Sequence, residues 1–364
     1  MGISRRQFIQ ATAAGTVLPS LSACSTPEAV PAPGVSLSGF DHATTAEEVT
    51  EGMDLGGKLA VVTGCNSGIG FETMRVLALR GAYVIGTGRT LEKAQEACSR
   101  VRGVTTPIQL ELSDFGSIVA CAETIRAMNT PVDILICNAG MRGGDYEVVN
   151  GTERHFAVNH LGHFLLVNRL LDRLFLAWQG RVINVSSRVA YTSAPDEGIL
   201  FDDLTMQDDW SVARAYAHSK LANALFSFEL ARLLKGTRIT SNALHPGVIN
   251  TNIVRDESAL LRLGFSLLTS IRGKTVEQGA ATTCYVATHP SLGNVSGEFF
   301  EDCRQVVIRG PNHTTNEDQA SRLWLRSREL VGKHYVTHER PDWSDFRDGI
   351  RGDRSPDLQN GENL

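Results

Sequence analysis

Lys58-Leu59-Ala60-Val61-Val62-Thr63-Gly64-Cys65-Asn66-Ser67-Gly68-Ile69-Gly70 is the stretch on which the reading of this chain turns. A short apolar run passes into a glycine-rich turn, and residues 71–80 then carry helical periodicity, so the spacing predicts strand, loop and helix. Glycines let a backbone approach a pyrophosphate closely. The following helix N-terminus supplies unpaired N–H groups and the positive end of a dipole to the same charge. Gly64, Gly68 and Gly70 leave three residues between the first pair and one between the second, which departs from the common Gly-x-Gly-x-x-Gly of dinucleotide sites.

Working outward, the same unit repeats. Tyr83-Val84-Ile85-Gly86-Thr87 is a second strand and ends at Gly88-Arg89. A carboxylate there would bind an adenosine ribose 2′-hydroxyl and select NAD; none is present. Gly88 is expected to leave room for a 2′-phosphate and Arg89 to offer it a planar charged fork, so NADP is expected over NAD. Pro107-Ile108-Gln109-Leu110-Glu111-Leu112-Ser113-Asp114 reads as a strand running into a helix cap. Val132-Asp133-Ile134-Leu135-Ile136 closes with the tight turn Cys137-Asn138-Ala139-Gly140, and Arg181-Val182-Ile183-Asn184-Val185 is followed by Ser186-Ser187. Ile239-Thr240-Ser241-Asn242-Ala243-Leu244 leads into His245-Pro246-Gly247-Val248-Ile249-Asn250-Thr251, and Gly297-Glu298-Phe299-Phe300 is expected to be a last edge strand. Strand and helix alternating over residues 58–300 predict an α/β fold, a doubly wound parallel sheet of Rossmann type in a single domain.

Ala215-Tyr216-Ala217-His218-Ser219-Lys220 carries the chemistry. Tyr216 and Lys220, four apart, face the same side of a helix. A cation held beside a phenol stabilises the tyrosinate and brings its pKa toward working pH, so Tyr216 is a candidate proton donor and acceptor. His155, His160 and His163 sit in one stretch, but their spacing is not that of a zinc helix and no metal is expected.

The glycine spacing, the Asn138-Ala139-Gly140 turn and Tyr216-x-x-x-Lys220 together resemble the short-chain dehydrogenase/reductase family over essentially the whole mature chain. Asn159-His160-Leu161-Gly162-His163-Phe164, Ser219-Lys220-Leu221-Ala222-Asn223, Asn242-Ala243-Leu244-His245-Pro246-Gly247 and Glu277-Gln278-Gly279-Ala280-Ala281 look like its retinol dehydrogenase and WW-domain oxidoreductase branch. The resemblance implies hydride transfer between nicotinamide and the carbonyl or alcohol carbon of a small or hydrophobic aldehyde, ketone or alcohol. In it, Ser187 and Tyr216 bind the substrate oxygen, Lys220 lowers the Tyr216 pKa and holds the nicotinamide ribose, and Asn159 interrupts a helix and keeps a water near the lysine. It further implies cofactor contacts from Thr63, Gly64, Asn66, Ser67, Gly68, Ile69, Gly70, Arg89, Glu111, Leu112, Asn138, Ala139, Gly140, Tyr216, Lys220, Pro246, Gly247, Val248 and Thr251. Two positions depart from the family pattern: Glu111 stands where an Asp is usual, and Cys137 replaces the first Asn of Asn-Asn-Ala-Gly. The alternatives are a carbonyl reductase of steroid-like or xenobiotic ketones, or a non-catalytic NADP-binding envelope protein. An intact Asn159, Ser187, Tyr216 and Lys220 weighs against the last.

The composition agrees with an enzyme. Across 364 residues, 42% are hydrophobic and 21% charged, and the formal net charge of -5 argues against nucleic acid as partner. No run of 18 apolar residues suggests a spanning helix. At the start, Arg5-Arg6 followed by an apolar stretch and Leu21-Ser22-Ala23-Cys24 resembles a twin-arginine export signal ending in a lipobox. Residues 1–23 are therefore expected to be a signal peptide read by the twin-arginine machinery. Cys24 is expected to carry a lipid anchor, 24–53 to form a flexible tether, 54–340 the enzyme domain and 341–364 a polar disordered tail. That places the protein on the periplasmic side of the envelope, with its oligomeric state left open. Cys65, Cys98, Cys121, Cys137, Cys284 and Cys303 are expected to be small buried thiols, not disulfide partners. Residues 255–274 are expected to form a lid over the substrate.

Overall fold

The computed structural model describes residues 26–249 and 273–338. Its elements are β1 (Glu28–Pro31), α1 (Ala46–Val49), β2 (Leu59–Val62), α2 (Gly68–Leu79), β3 (Tyr83–Gly88), α3 (Leu91–Ser99), β4 (Thr105–Gln109), α4 (Phe115–Ala127) and β5 (Ile134–Cys137). A small hairpin follows, β6 (Val148–Val149) and β7 (Thr152–Glu153). It leads into α5 (Arg154–Phe156), one π-helical stretch (Ala157–Leu161) and α6 (Gly162–Phe175). Then come β8 (Gly180–Val185), α7 (Val189–Thr192), α8 (Val212–Leu233), β9 (Ile239–His245), α9 (Val276–Thr288), β10 (Phe299–Glu301), β11 (Arg304–Arg309) and α10 (Glu317–Val331).

Among the described residues, nine strands make one sheet in the order β1-β11-β10-β9-β8-β5-β2-β3-β4. From β4 to β10 every neighbouring pair runs parallel. Successive residues of a strand feed opposite faces. Leu59, Val61, Leu135 and Val182 enter an apolar layer with α4, α6, α8 and α10, while Ala60, Val62, Ile134, Ile136 and Ile183 enter another with α2 and α9. Both faces are thus covered, which is why the central strands are apolar throughout instead of alternating. The strand order reverses between β2 and β5, so the carboxyl ends of these two strands flank the crevice where open α/β sheets bind ligands.

Two sequence expectations are corrected at the far edge. Gly297-Glu298-Phe299-Phe300 does not supply an edge strand: β10 is interior, parallel to β9 through Phe299 and Ala243 and antiparallel to β11 through Phe299 and Val306. The reversal into β11 uses Asp302 and Cys303, both at positive φ. Part of the expected tether also belongs to the fold. β1 closes the sheet against β11 with Glu28 opposite Arg309, and α1 starts on a capping box in which Thr45 and Glu48 satisfy each other's backbone N–H. Phe40 packs edge-on against Tyr285. The Pro/Ala/Ser/Thr composition hid these elements because a four-residue edge strand with a terminal proline and a one-turn helix contain too few residues to show a period.

The six cysteines from Cys65 to Cys303 are free and buried. No described helix is long and apolar enough to cross a membrane. The expected export signal with Arg5, Arg6 and Cys24, the cofactor residue Thr251, most of the expected lid and the expected tail at 341–364 lie outside the described residues.

Candidate active site

α8 begins on Ser211, whose side chain accepts from the Arg214 N–H. The helix buries the whole run from Ala215 to Ser227 against α7, β8 and β9. That burial aims Tyr216 and Lys220 at the carboxyl end of β8. The Lys220 ammonium donates to the Val185 carbonyl at 2.9 Å and lies 5.7 Å from the centre of the Tyr216 ring. Of the two serines after β8, Ser186 donates to the Lys220 carbonyl at 2.7 Å and is consumed in holding strand to helix. Ser187 is the one in hydrogen-bonding reach of the Tyr216 phenol. Of the pair, Ser187 is thus the hydroxyl left beside Tyr216.

Asn159 sits in the π-helical stretch, so the helix is interrupted where the resemblance implied. Its Oδ1 accepts from the Met141 N–H at 2.8 Å, and its Nδ2 donates to the Met141 carbonyl at 3.0 Å and to Ser219 Oγ at 2.9 Å. Ser219 in turn donates to the Tyr216 carbonyl at 2.8 Å. One buried amide thus ties the turn after β5 to the Tyr216 helix. A Cβ on Gly140 would lie 3.3 Å from Asn159 Oδ1 and 3.5 Å from Lys220 Nζ, so the tightness of this turn is what lets the four groups converge.

The glycine turn is a cradle by the same test. Gly64 has φ +72 and a Cβ there would meet Ala139 at 2.9 Å, while a Cβ on Gly70 would strike the Gly64 carbonyl and Asn138 Nδ2 at 2.3 and 2.4 Å. Asn138 Nδ2 donates to the Thr63 carbonyl at 2.8 Å, bracing the turn. At the head of α2, Ser67 makes no side-chain cap and no acidic residue occupies the first turn. The starts of α3, α4, α8 and α9 all carry side-chain caps. The α2 N–H groups and dipole are left for an anion, which suits a cofactor pyrophosphate held by Gly64, Asn66, Ser67, Gly68, Ile69 and Gly70.

His163 is the joint that sequence reasoning passed over. Burial pushes its pKa down to about 4, so the ring is neutral. Nδ1 faces the Asn159 carbonyl at 3.0 Å and must donate, which leaves Nε2 to accept the Thr63 hydroxyl at 2.9 Å. Thr63 Oγ1 then accepts from the Asn138 and Ala139 N–H groups, both at 2.9 Å. The other two histidines of this stretch are also spoken for: His155 Nδ1 meets Glu153 Oε1 at 2.7 Å and His160 Nε2 meets Ser327 Oγ at 2.8 Å. Among the described residues no group of His, Cys, Asp or Glu is arranged to hold a metal.

Burial raises the Tyr216 pKa, and the groups that oppose it are first the Arg142 charge and then the Ser187 hydroxyl. Lys220 is itself pushed down to about 8 by burial. Arg142, whose guanidinium carbon is 5.4 Å from the Tyr216 ring centre, was not anticipated. The signal available was its place two residues beyond Gly140, in a turn at the switch point of the sheet.

Other expected cofactor residues fall at the same edge. Gly88 is buried, and a Cβ there would come within 3.0 Å of the Ala94 nitrogen, so the glycine serves the close approach of α3. Arg89 is exposed at the end of β3. Glu111 turns back to accept from the Ser113 N–H at 3.1 Å and hydroxyl at 2.8 Å, and Leu112 is buried under Gly162. Pro246, Gly247 and Val248 leave β9 beside β8, with Lys274 packed over Gly247 and its N–H donating to Val248. Cavities of about 470 Å³ beside Phe201 and Arg214 and about 560 Å³ beside Lys235 and Asn294 do not include Tyr216 in their walls.

Comparison with known proteins accounts for this geometry. The sequence profile of the short chain dehydrogenase family matches residues 58–198. The chain is 40% identical over 310 residues to short-chain dehydrogenase TIC 32 A, chloroplastic, of Brassica napus, covering 81% of this chain and 95% of that one. The chain belongs to the short-chain dehydrogenase/reductase family. Homo sapiens retinol dehydrogenase 12 is 42% identical over 286 residues (77% and 88% covered), and Homo sapiens WW domain-containing oxidoreductase 39% over 303 residues (80% and 72%). A crystal structure of a protein from Mycobacterium paratuberculosis aligns with a TM-score of 0.63 at 30% identity, covering 78% of this chain and 96% of that one. As a short-chain dehydrogenase/reductase, the protein is an oxidoreductase of a family that binds NAD(P) and acts on small molecules.

Proposed function

We propose that this enzyme is an NADP(H)-dependent oxidoreductase of small or hydrophobic aldehydes, ketones or the corresponding alcohols, exported by the twin-arginine route and held at the periplasmic face of the envelope by lipid on Cys24. The observation that carries the catalytic part is the convergence of Tyr216, Ser187, Lys220 and Asn159 beside the uncapped start of α2. When bound, the nicotinamide supplies or accepts the hydride. The chain's own part is to seat the substrate oxygen between the Ser187 hydroxyl and the Tyr216 phenol and to pass a proton through that phenol. Lys220 and Asn159 keep the far side of the tyrosine polar. Similarity to retinol dehydrogenase 12 supports an apolar alcohol or aldehyde as substrate class. An exposed Arg89 at the end of β3, with no acid at that strand end, supports NADP.

Titration of the purified domain with NADPH and NADH tests the cofactor choice. Arg89→Ala should weaken NADPH by about 1.5–3 kcal/mol, or roughly one to two decades, with NADH unchanged. Equal affinity for the two in the wild type would refute the preference, and a panel of aldehydes and ketones tests turnover. Fractionation after labelling with a fatty acid tests the anchor: the wild type should be lipidated and membrane-bound, and soluble unlabelled protein would refute it.

A further inference from the structure

The Tyr216 phenol is flanked by more than the residues assigned to it above. Met141 is clamped in both directions by the Asn159 side chain, through its N–H at 2.8 Å and its carbonyl at 3.0 Å. Gly143 and Gly144 follow at φ 97 and 92, so the backbone turns away immediately after Arg142. A residue fixed this way has little freedom, and its guanidinium carbon stands 5.4 Å from the Tyr216 ring centre, against 5.7 Å for the Lys220 ammonium. The lysine reaches the ring from the same helix and spends a donor on the Val185 carbonyl. The arginine reaches it from the turn after β5.

We infer that Arg142 is a positioning residue for proton transfer, a second cation that holds the Tyr216 phenolate from the loop after β5. A cation near an aromatic ring is attracted to it, and the attraction grows when the ring carries a negative charge, so Arg142 favours the ionised tyrosine. Among the described residues, the groups facing Tyr216 are Ser187 from the end of β8, Lys220 from α8 and Arg142 from the turn after β5. Of the other titratable groups, His245 at the end of β9 and His218 in α8 are pushed by burial to about 3 and about 4 and so bring no charge to the phenol at working pH. Burial brings Lys220 down to about 8, so in the free enzyme the ammonium loses its charge in the range where a tyrosine must ionise. Arginine side chains keep theirs throughout that range. Arg142 therefore supplies positive charge to the ring where Lys220 no longer does. This rests on Tyr216 being the proton donor of the proposed reaction.

The test is a titration that needs no substrate. The near-ultraviolet tyrosinate absorbance of the cofactor-free full chain, minus that of Tyr216→Phe, isolates one phenol of the six in the sequence. Arg142→Met should raise its midpoint by about one pH unit, since an opposite charge at this range is worth about 1–3 units. Arg142→Lys should restore most of the difference, and Lys220→Met should move the midpoint less than Arg142→Met. Arg142→Gln, which keeps the polarity and loses the charge, serves alongside Met in case the latter does not fold. Equal midpoints in wild type and both uncharged variants would overturn the inference, as would a Tyr216 phenol that ionises in none of them before alkaline unfolding. A failure of the oxidoreductase reading would appear separately, as no NADP-linked turnover in a protein whose phenol still responds to Arg142.

Discussion

Around Tyr216 the chain buries groups that water solvates better than protein does: Asn159 is fully buried, His163 is 1% exposed and Lys220 3%. On the opposite side of α8, α10 lays Ala320, Leu323 and Trp324 into an apolar surface. Trp324 stacks on Phe226 with ring centres 5.9 Å apart and meets Phe164 edge-on at 5.1 Å, and Tyr335 stacks on Phe164 from the far side. One helix therefore carries a destabilising face toward the chemistry and a stabilising face toward the C-terminal cover. The contrast teaches that the site is held in place by contacts far from it, and that damage to the two faces should separate in experiment.

The largest effect is expected from the cover. Trp324→Ala removes a buried indole from two aromatic neighbours, Phe164 and Phe226, and should lower the unfolding free energy by about 3–5 kcal/mol while cofactor affinity at low temperature stays close to wild type. Denaturant melts with NADPH titration read both; a stable but inactive variant would break the contrast. Next, Tyr216→Phe should cut turnover at least about 10²-fold with the melt and cofactor binding nearly unchanged. More than about a tenth of the wild-type rate in that variant would remove Tyr216 from proton transfer.

The smallest effect has the opposite sign. Lys220 ionises at about 8 in the folded protein against 10.5 for the ordinary side chain, because burial disfavours its charge. Between those values the unfolded chain binds the additional proton, so stability rises with pH from 8 to 10.5, and the full cost is felt below 8. Lys220→Met should therefore stabilise the cofactor-free protein at pH 7 by about 1–3 kcal/mol, a gain that shrinks toward pH 10, while abolishing the proton relay. Urea unfolding of both proteins at neutral and alkaline pH measures this, and a destabilised Lys220→Met would mean that the Val185 contact outweighs desolvation.

The two faces also differed in how far the sequence revealed them. The glycine turn, Asn138-Ala139-Gly140 and Tyr216-x-x-x-Lys220 are contiguous, and their spacing alone places them on a turn or one helix face. Ser187 followed from the family pattern, with the reason visible only once Ser186 was seen bonded to Lys220. Arg142 was harder to read, because its place after Gly140 hints at the site while the ring it approaches lies 74 residues ahead. The spacing around His163 spoke against a metal but could not show what the ring does instead, because Thr63, its partner, lies a hundred residues earlier. The cover was missed for a related reason: α10 is amphipathic, with a polar face, and its sequence does not say that Phe164 and Phe226 await it.

β1 has a consequence for the order in which the molecule can be made. Its residues Glu28 to Pro31 are among the first described, yet their partners are Arg309 to Val306 on β11. At roughly 5–20 residues per second of synthesis, the strand waits on the order of 15–60 s before its partner leaves the ribosome. An unpaired strand during that interval could recruit another chain, and this one is only four residues long and ends in a proline, which cannot donate to a ladder. The first of the described strands to emerge thus zips only after β11, and its docking marks a chain in which the described sheet has its last partner.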